Sequence, residues 1–370
     1  MKIAKLIVGN SEKCSNLFYR TGIFIPDDFI YFETSDERGA IVSSLEYDRA
    51  LGSIKKGVRV YQSDSFGVGS NIFDVICALA IQKNIGRFLV PESFPLLLAD
   101  MLRENNIKVQ AVEGVFFPER EFKSEYELLQ VKAAMQITEM GMKRAYDILG
   151  ESSIGNDGFV YWNNELLTSE LLRAEIDSIL LRNGALGDHT IVASYLQSAQ
   201  PHHVGAGGIY ANQTIVIDIF PRLQSSGYYG DLTRTFVKGR ASDIAKKAFN
   251  AVVEARDVSK KFIHAGAACE ESYNVAKNIL EKYDFFTGID DYGRNYGFFH
   301  SLGHGVGLDI HEAPRLSRNI EKVLQGGEIV TVEPGLYYPE WGGIRMEDIV
   351  YVRKNNCEVI TQIGDEFEIA

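Results

Sequence analysis

With 370 residues and 45% hydrophobic content, the chain can build a sizeable core and is long enough for two domains. Its formal net charge of -12 excludes a sequence-independent nucleic-acid binder, which works by neutralising phosphates with lysine and arginine, so no nucleic-acid partner is expected. No apolar run reaches the length of a membrane span or a signal h-region, and Cys14, Cys77, Cys269 and Cys357 show neither CxxC nor zinc-finger spacing; the expectation is a cytoplasmic protein in a reducing compartment, with no membrane partner.

Residues 1 to about 120 alternate short strands and helices. KLIV, FIYFE, AIVSSL and VRVYQ read as strands, NIFDVICALAIQKN as a helix, RFLVP as a strand, FPLLLADMLREN as a helix and KVQAV as a strand. That order predicts an α/β domain. GVGS at Gly67 to Ser70 opens a helix but lacks the rest of a dinucleotide or phosphate-loop pattern, so no nucleotide site is expected there. From Ser124 the character changes to a long amphipathic pattern with Ser124 as N-cap and Glu127 at capping-box spacing. The domain boundary therefore falls near residues 117 to 123, giving domains 1–122 and 123–370. Met135, Met140 and Met142 on this helix are expected to pack in the core.

The second part continues with a helix from Thr168 to Asn183, extended DHTIVAS, and a loop in which His202 and His203 follow Pro201. TIVIDIFPRLQSSGYYGDLTRTF, from Thr214 to Phe236, reads as a hairpin with turn chemistry at Pro221, Ser225, Ser226 and Gly227. Asp218 interrupts a β-branched, buried-looking arm, and such a carboxylate is costly unless a cation or hydrogen bonds compensate it. It is half of a metal site with Asp231, or it pairs with Arg234 or caps the turn. Helices at Ser242–His264 and Glu270–Tyr283 are expected to cover one face of a sheet. GFFHSLGHGVGLDIHEAP then holds His300, His304 and His311 among Gly303, Gly305 and Gly307, and these glycines suit a close approach of main chain to ligand rather than a metal-binding helix. After a surface helix-like stretch, residues 327–352 read as strand, turn, strand, with Glu333 ending the first arm and Glu347 inside the second. Alternation there puts Arg345, Glu347 and Ile349 on one face.

Asp218, Asp231, His304, Glu333 and Glu347 each sit at a strand end or in a glycine-rich loop. Hard oxygen ligands with one imidazole suit manganese, cobalt, iron or zinc. Four carboxylates would repel severely around one divalent ion but match two, because shared carboxylates can bridge ions about 3.5 to 4 Å apart.

In order, VIDIF, GDLTRTF, SLGHGVGLDIHE, VEPGLYY and GGIRMEDIV resemble the ligand strings of the pita-bread metallopeptidases, which include aminopeptidase P, prolidase and methionine aminopeptidase. The resemblance covers the whole chain, and the N-terminal α/β domain looks like the aminopeptidase P and prolidase branch. It implies an α+β protein: a smaller N-terminal creatinase-like α/β domain, then a catalytic pita-bread domain of antiparallel sheets covered by helices. It implies hydrolysis of the Xaa-Pro bond, at the N-terminus of peptides or in dipeptides, by a hydroxide bridging two divalent ions, manganese first, with cobalt, zinc or iron as alternatives. In that scheme Asp218 chelates one ion, His304 binds the other, Asp231 and Glu347 bridge, and Glu333 is a ligand that also handles the proton. His202 and His311 face the scissile carbonyl and the developing oxyanion, His300 faces the proline, Arg345 orients a carboxylate, and His203 is a bystander. A homodimer through the N-terminal domain is implied as well. Two features depart from the pattern: Asp218 does not head an Asp-x-Gly turn, and Asp231 follows it by thirteen residues rather than the usual eleven. A non-catalytic scaffold on the same fold, or a creatinase-like metal-free hydrolase, is the alternative; such relatives lose ligands, and this chain keeps all five.

Overall fold

In the computed structural model, which describes residues 1–370, the chain divides between Arg120 and Glu121. The first unit runs β1 (Lys2–Gly9), α1 (Ser15–Thr21), β2 (Phe29–Glu33), β3 (Arg38–Val42), α2 (Ser44–Ser53), β4 (Val58–Gln62), α3 (Ile72–Lys83), β5 (Ile85–Pro91), α4 (Leu96–Glu104) and β6 (Lys108–Val112). Its strands form one mixed sheet in the order β4-β3-β2-β1-β5-β6. Successive side chains go to opposite faces, as the pleat demands: Leu6, Ile30 and Ile41 join one apolar cluster, while Ile7, Tyr31 and Ala40 join the other. The expected strand AIVSSL ends at Val42, and Ser43 opens α2. Neither α1 nor α2 was expected from the sequence. The seven residues of α1 are too few to show a period, and α2 buries only Ala50, so it carries no apolar stripe.

The second unit opens with α5 (Glu125–Glu151), whose Ser124–Glu127 capping box is formed. Leu128, Val131, Met135, Met142, Ala145 and Leu149 make its buried stripe; Met140 lies off that stripe and is 45% exposed, contrary to the expectation of core packing. A small sheet of β7 (Ser153–Ile154), β8 (Val160–Trp162) and β9 (Glu165–Leu166) leads into α6 (Ser169–Arg182), N-capped by Thr168. Then come β10 (Ala185–Leu186), β11 (Ile191–Ser194), β12 (Thr214–Ile219), β13 (Arg222–Leu223) and β14 (Leu232–Lys238). After α7 (Asp243–Phe262), α8 (Cys269–Lys282) and the β15 (Gly288–Ile289) and β16 (Asn295–Tyr296) hairpin follow β17 (Gly303–Gly305), β18 (Glu312–Leu316), β19 (Ile329–Val332), β20 (Gly335–Tyr338), β21 (Gly342–Arg345), β22 (Asp348–Val352), β23 (Cys357–Val359) and β24 (Glu368–Ile369).

Two sheets carry the site, one in the order β11-β12-β14-β24 and one in the order β18-β17-β19-β22-β23. Ala248, Val252 and Ala255 of α7 and Tyr273, Ala276 and Leu280 of α8 share an apolar cluster with Val330, Val332, Val350 and Val352, so the two helices cover the five-stranded sheet. All seven residues of β14 are buried. Threonines on that strand fasten β21 and the residues after it: Arg345 N–H donates to Thr235 Oγ1 at 3.0 Å, and Glu347 N–H donates to the Thr233 carbonyl at 3.1 Å.

Two expectations are corrected. The helix-like stretch expected between Pro314 and residue 327 contains no helix; Arg315 and Leu316 complete the strand Glu312–Leu316, paired with β17, and turns and extended chain follow. Glu347 lies between β21 and β22 rather than inside a strand, because its N–H and carbonyl turn toward β14.

At Gly303 a Cβ would meet the Thr331 carbonyl oxygen at 2.0 Å, so β17 can approach β19 only without a side chain. Gly303→Ala should cost about 3 kcal/mol, the upper part of the overpacking range, read as a fall in the urea midpoint at unchanged slope.

Candidate metal centre

A cavity of about 950 Å³ in the second unit takes in Asp218, Asp231, His304, Glu333 and Glu347, together with His202, His300, His311 and Arg345. His203 is not in its lining; its Nδ1 accepts from the Gly205 N–H at 3.0 Å and shapes the loop.

The sheet register explains how the acids meet. Asp218 pairs with Thr233 across β12 and β14, and Asp231 precedes Thr233 by two residues, so all three share one face. His304 is the middle residue of β17, Glu333 follows β19 and Glu347 follows β21. Ligand atoms of Asp231, His304 and Glu347 lie within 4.8 Å of one another. His304 Nε2 is 3.2 Å from Glu333 Oε1 and 3.6 Å from Asp231 Oδ2. His304 Nδ1 lies 3.2 Å from the Gly305 carbonyl, which can only accept, so Nδ1 carries a proton and Nε2 faces the carboxylates.

Hydroxyls fix the orientation of the acids. Thr233 Oγ1 donates to Glu347 Oε2 at 2.8 Å, and Thr331 Oγ1 donates to Glu333 Oε1 at 3.2 Å while accepting from the His304 N–H. Arg345, buried, is the hub. Its Nη2 donates to Asp218 Oδ2 at 2.7 Å, its Nε to Thr233 Oγ1 at 3.1 Å, and its Nη1 to Tyr337 Oη at 2.8 Å and the Pro201 carbonyl at 3.3 Å. Asp218 therefore pairs with Arg345 and not with Arg234, whose partners are Asp348 and Asp365. Tyr337 Oη in turn lies 3.0 Å from His300 Nε2, and His300 Nδ1 donates to the Ser301 carbonyl at 2.7 Å.

Burial, followed by repulsion from neighbouring carboxylates, holds Asp231 and Glu347 well above the usual carboxylate range. Asp218 is raised by burial too, although Arg345 opposes the shift. Burial also acts on Glu333, but the hydrogen bond and charge of His304, with His300 and Arg345, outweigh it and bring the group down to about 2. Burial lowers His300 to about 4, and partial desolvation with the neighbouring His304 lowers the more exposed His311 to about 4, so both are neutral near pH 7. Asp218 Oδ1 is buried and has no hydrogen-bond partner. An orphaned carboxylate oxygen, one imidazole nitrogen and three further acids are a donor set that divalent ions fit.

Sequence reasoning missed Tyr337, Thr233, Thr331, His189, Phe220 and Arg315. Arg315 pairs in register with His304, a relation hidden by the helix-like reading of that stretch. It lines the cavity exposed and without an ion-pair partner. His189 sits at the cavity in left-handed backbone, φ 60°, which no local pattern announces.

Residues 130–354 match the model of metallopeptidase family M24. The chain is 29% identical over 359 residues to the Xaa-Pro dipeptidase of Pyrococcus horikoshii, covering 96% of this chain and 92% of that one. To the Xaa-Pro dipeptidase of Pyrococcus furiosus it is 28% identical, covering 99% and 98%. Among solved structures, the prolidase from Pyrococcus furiosus is similar with a TM-score of 0.79 at 25% identity, over 98% of this chain and 96% of that one. The prolidase from Pyrococcus horikoshii OT3 gives 0.81 at 28%, over 99% and 95%.

The raised acids make a pH prediction for the metal-free protein. Below about pH 4 both folded and unfolded chains hold these protons; as pH rises the unfolded chain ionises first, so stability falls toward the raised native values. Asp231→Asn removes one such group. With chelator present, its urea midpoint should exceed that of the parent protein at about pH 8, with the gap closing near pH 4. An equal midpoint at the higher pH would contradict the raised acid.

Proposed function

Because the chain belongs to metallopeptidase family M24, in the aminopeptidase P and prolidase branch with its pita-bread fold, we propose that this peptidase hydrolyses the Xaa-Pro bond of dipeptides and N-terminal peptides. The observation that carries the reading is the meeting of Asp218, Asp231, His304, Glu333 and Glu347 in one cavity, with Asp218 Oδ1 left unpaired. These five residues hold two divalent ions, manganese before cobalt, zinc or iron. Bound there, such ions supply Lewis acidity and a water made nucleophilic near neutral pH.

The chain's own residues do the rest. Glu333, ionised near neutral pH and held between Thr331 Oγ1 and His304 Nε2, is the carboxylate placed to take up a proton during attack. His311, neutral and with its ring 4.4 Å from that of His304, donates an N–H to the scissile carbonyl as charge develops, and His202 on the cavity wall supports the same oxygen. His300 has both ring nitrogens engaged, so with Phe299 and Tyr337, ring centroids 5.5 Å apart, it offers a fixed aromatic wall suited to a pyrrolidine ring. Arg345 locks Asp218, Thr233 and Tyr337 in one arrangement and acts through them. Arg315, beside His304 in register, pairs with the terminal carboxylate of a dipeptide. Four free cysteines suit a reducing, cytoplasmic setting, and a homodimer, checked by light scattering, completes the reading.

A panel of Xaa-Pro dipeptides and longer Xaa-Pro peptides, assayed with manganese, cobalt and zinc, tests the activity, and elemental analysis tests the ion count. Two equivalents per chain and faster cleavage of dipeptides are expected. Arg315→Ala should erase the dipeptide preference through KM. One equivalent after loading with excess metal would remove the two-ion reading, and no cleavage of any Xaa-Pro peptide would remove the substrate.

His304 and His311 separate by what each ring is asked to do. His304→Ala should lose metal and rate together. His311→Ala should keep both ions and lower kcat about 10²- to 10³-fold, since the donor acts mainly on the transition state. A fully metallated His311→Ala protein within about threefold of the parent kcat, roughly 0.65 kcal/mol, would assign this histidine a structural role instead.

A further inference from the structure

Arg234 is 1% exposed, the largest fully buried side chain, and stands outside the cavity lining. Its guanidinium donates to five acceptors: Nε to the Gly364 carbonyl at 2.9 Å, Nη1 to the carbonyls of Thr233 (3.0 Å) and Glu347, and Nη2 to Asp348 Oδ1 at 2.9 Å and the Ile363 carbonyl at 3.2 Å. All five of its N–H groups therefore have partners. Four of those partners are main-chain oxygens, although Asp348 and, at 3.5 Å, Asp365 already answer its charge.

Glu347 occupies the two-residue break between β21 and β22, so neither strand ladder holds its backbone. Three contacts hold it instead: its N–H to the Thr233 carbonyl at 3.1 Å, its carbonyl from Arg234, and its Oε2 from Thr233 Oγ1 at 2.8 Å. Arg234 thus grips the carbonyls on both sides of that exchange. The next residue, Asp348, is fixed by Arg234, by Arg256 Nε at 3.2 Å and by Lys260 Nζ at 2.5 Å. On its far side Arg234 holds the tail at Ile363 and Gly364.

We propose that Arg234 is a positioning residue for the metal centre: its planar fork sets the backbone of Glu347, and so the aim of the Glu347 carboxylate, and it couples that setting to the C-terminal segment around residues 363–365. This rests on the metal-binding reading above. A lysine at 234 could keep the charge toward Asp348 but could not span both carbonyls, because an ammonium is a point donor without the fork. Arg256 supplies the contrast. It is also buried and ion-paired, to Asp257, Asp348 and Asp365, yet donates to no carbonyl of the ligand strands.

The test compares Arg234→Lys with Arg256→Met, each stripped of metal, checked for native near-UV dichroism and titrated with manganese or cobalt by calorimetry. Arg234→Lys should bind the weaker equivalent about 10- to 100-fold less tightly, the usual effect of losing a contact behind a ligand, and lose kcat with KM nearly unchanged. Arg256→Met should melt earlier with metal affinity within about threefold of the parent. Arg234→Lys within that same threefold, or Arg256→Met losing as much affinity, would overturn the proposal. If Arg234→Lys does not fold, hydrogen exchange on the parent chain decides: metal loading should slow the amides of residues 362–366, and unchanged exchange there would also overturn it. A parent protein that takes up no divalent ion in the titration would instead refute the metal reading itself.

Discussion

Four carboxylates, two of them buried and two partly so, share one cavity with one buried guanidinium, and most of the second unit can be understood as the means of tolerating that arrangement. A buried charge carries a desolvation penalty of several kcal/mol unless a partner compensates it. Arg345 compensates Asp218, and His304 compensates Glu333. Asp231 and Glu347 have no cation of their own in the chain, and burial with mutual repulsion pushes their proton affinity upward. A divalent ion bound there would relieve that repulsion, and by binding the folded chain alone it would stabilise the fold.

The scaffold follows from the need to hold such acids at fixed distances. Threonines do much of this, since a hydroxyl can accept from one backbone amide and donate to a carboxylate at once, as Thr331 does between His304 and Glu333. Glycines do the remainder at β17. A Cβ at Gly305 would meet the Ala313 carbonyl oxygen at 2.3 Å, as one at Gly303 would meet that of Thr331, so β17 is pressed between β18 and β19 and His304 has little freedom to move.

The sequence disclosed the acids because a carboxylate in an apolar run is anomalous on its face, and Asp218 and Glu347 are both of that kind. It disclosed α5 because capping and periodicity agree there over many residues. It could not disclose relations between elements remote in the chain. Whether Asp218 pairs with Arg234 or Arg345 depends on sheet register and on the break after β21, and local alternation carried Glu347 straight through that break. Arg315 was hidden for a similar reason: a strand of five residues with a proline in it has no readable period, and only its pairing with β17 sets it beside His304. Tyr337 needed the β20–β21 hairpin to bring it to Arg345.

The long loop after Asp218 shows how a local departure can leave the chemistry intact and still change the pocket. Thirteen residues separate Asp218 from Asp231. The insertion relative to the eleven of the resembled pattern is even, and a pleated strand returns to the same face every second residue, so Asp231 stays on the face of Asp218. The surplus is absorbed outside the ladder, where Arg222 and Leu223 form β13 and pair with β10. That pairing ties the loop to the segment running into His189, and Phe220 and His189 both line the cavity. The ladder of β11 and β12 ends at the pair Ile191 and Asp218, and His189 and Phe220 lie just beyond it on either side. Asp218, inside the ladder, and Phe220, just past its end, are two residues apart, and the register that fixes the first leaves the second free to vary.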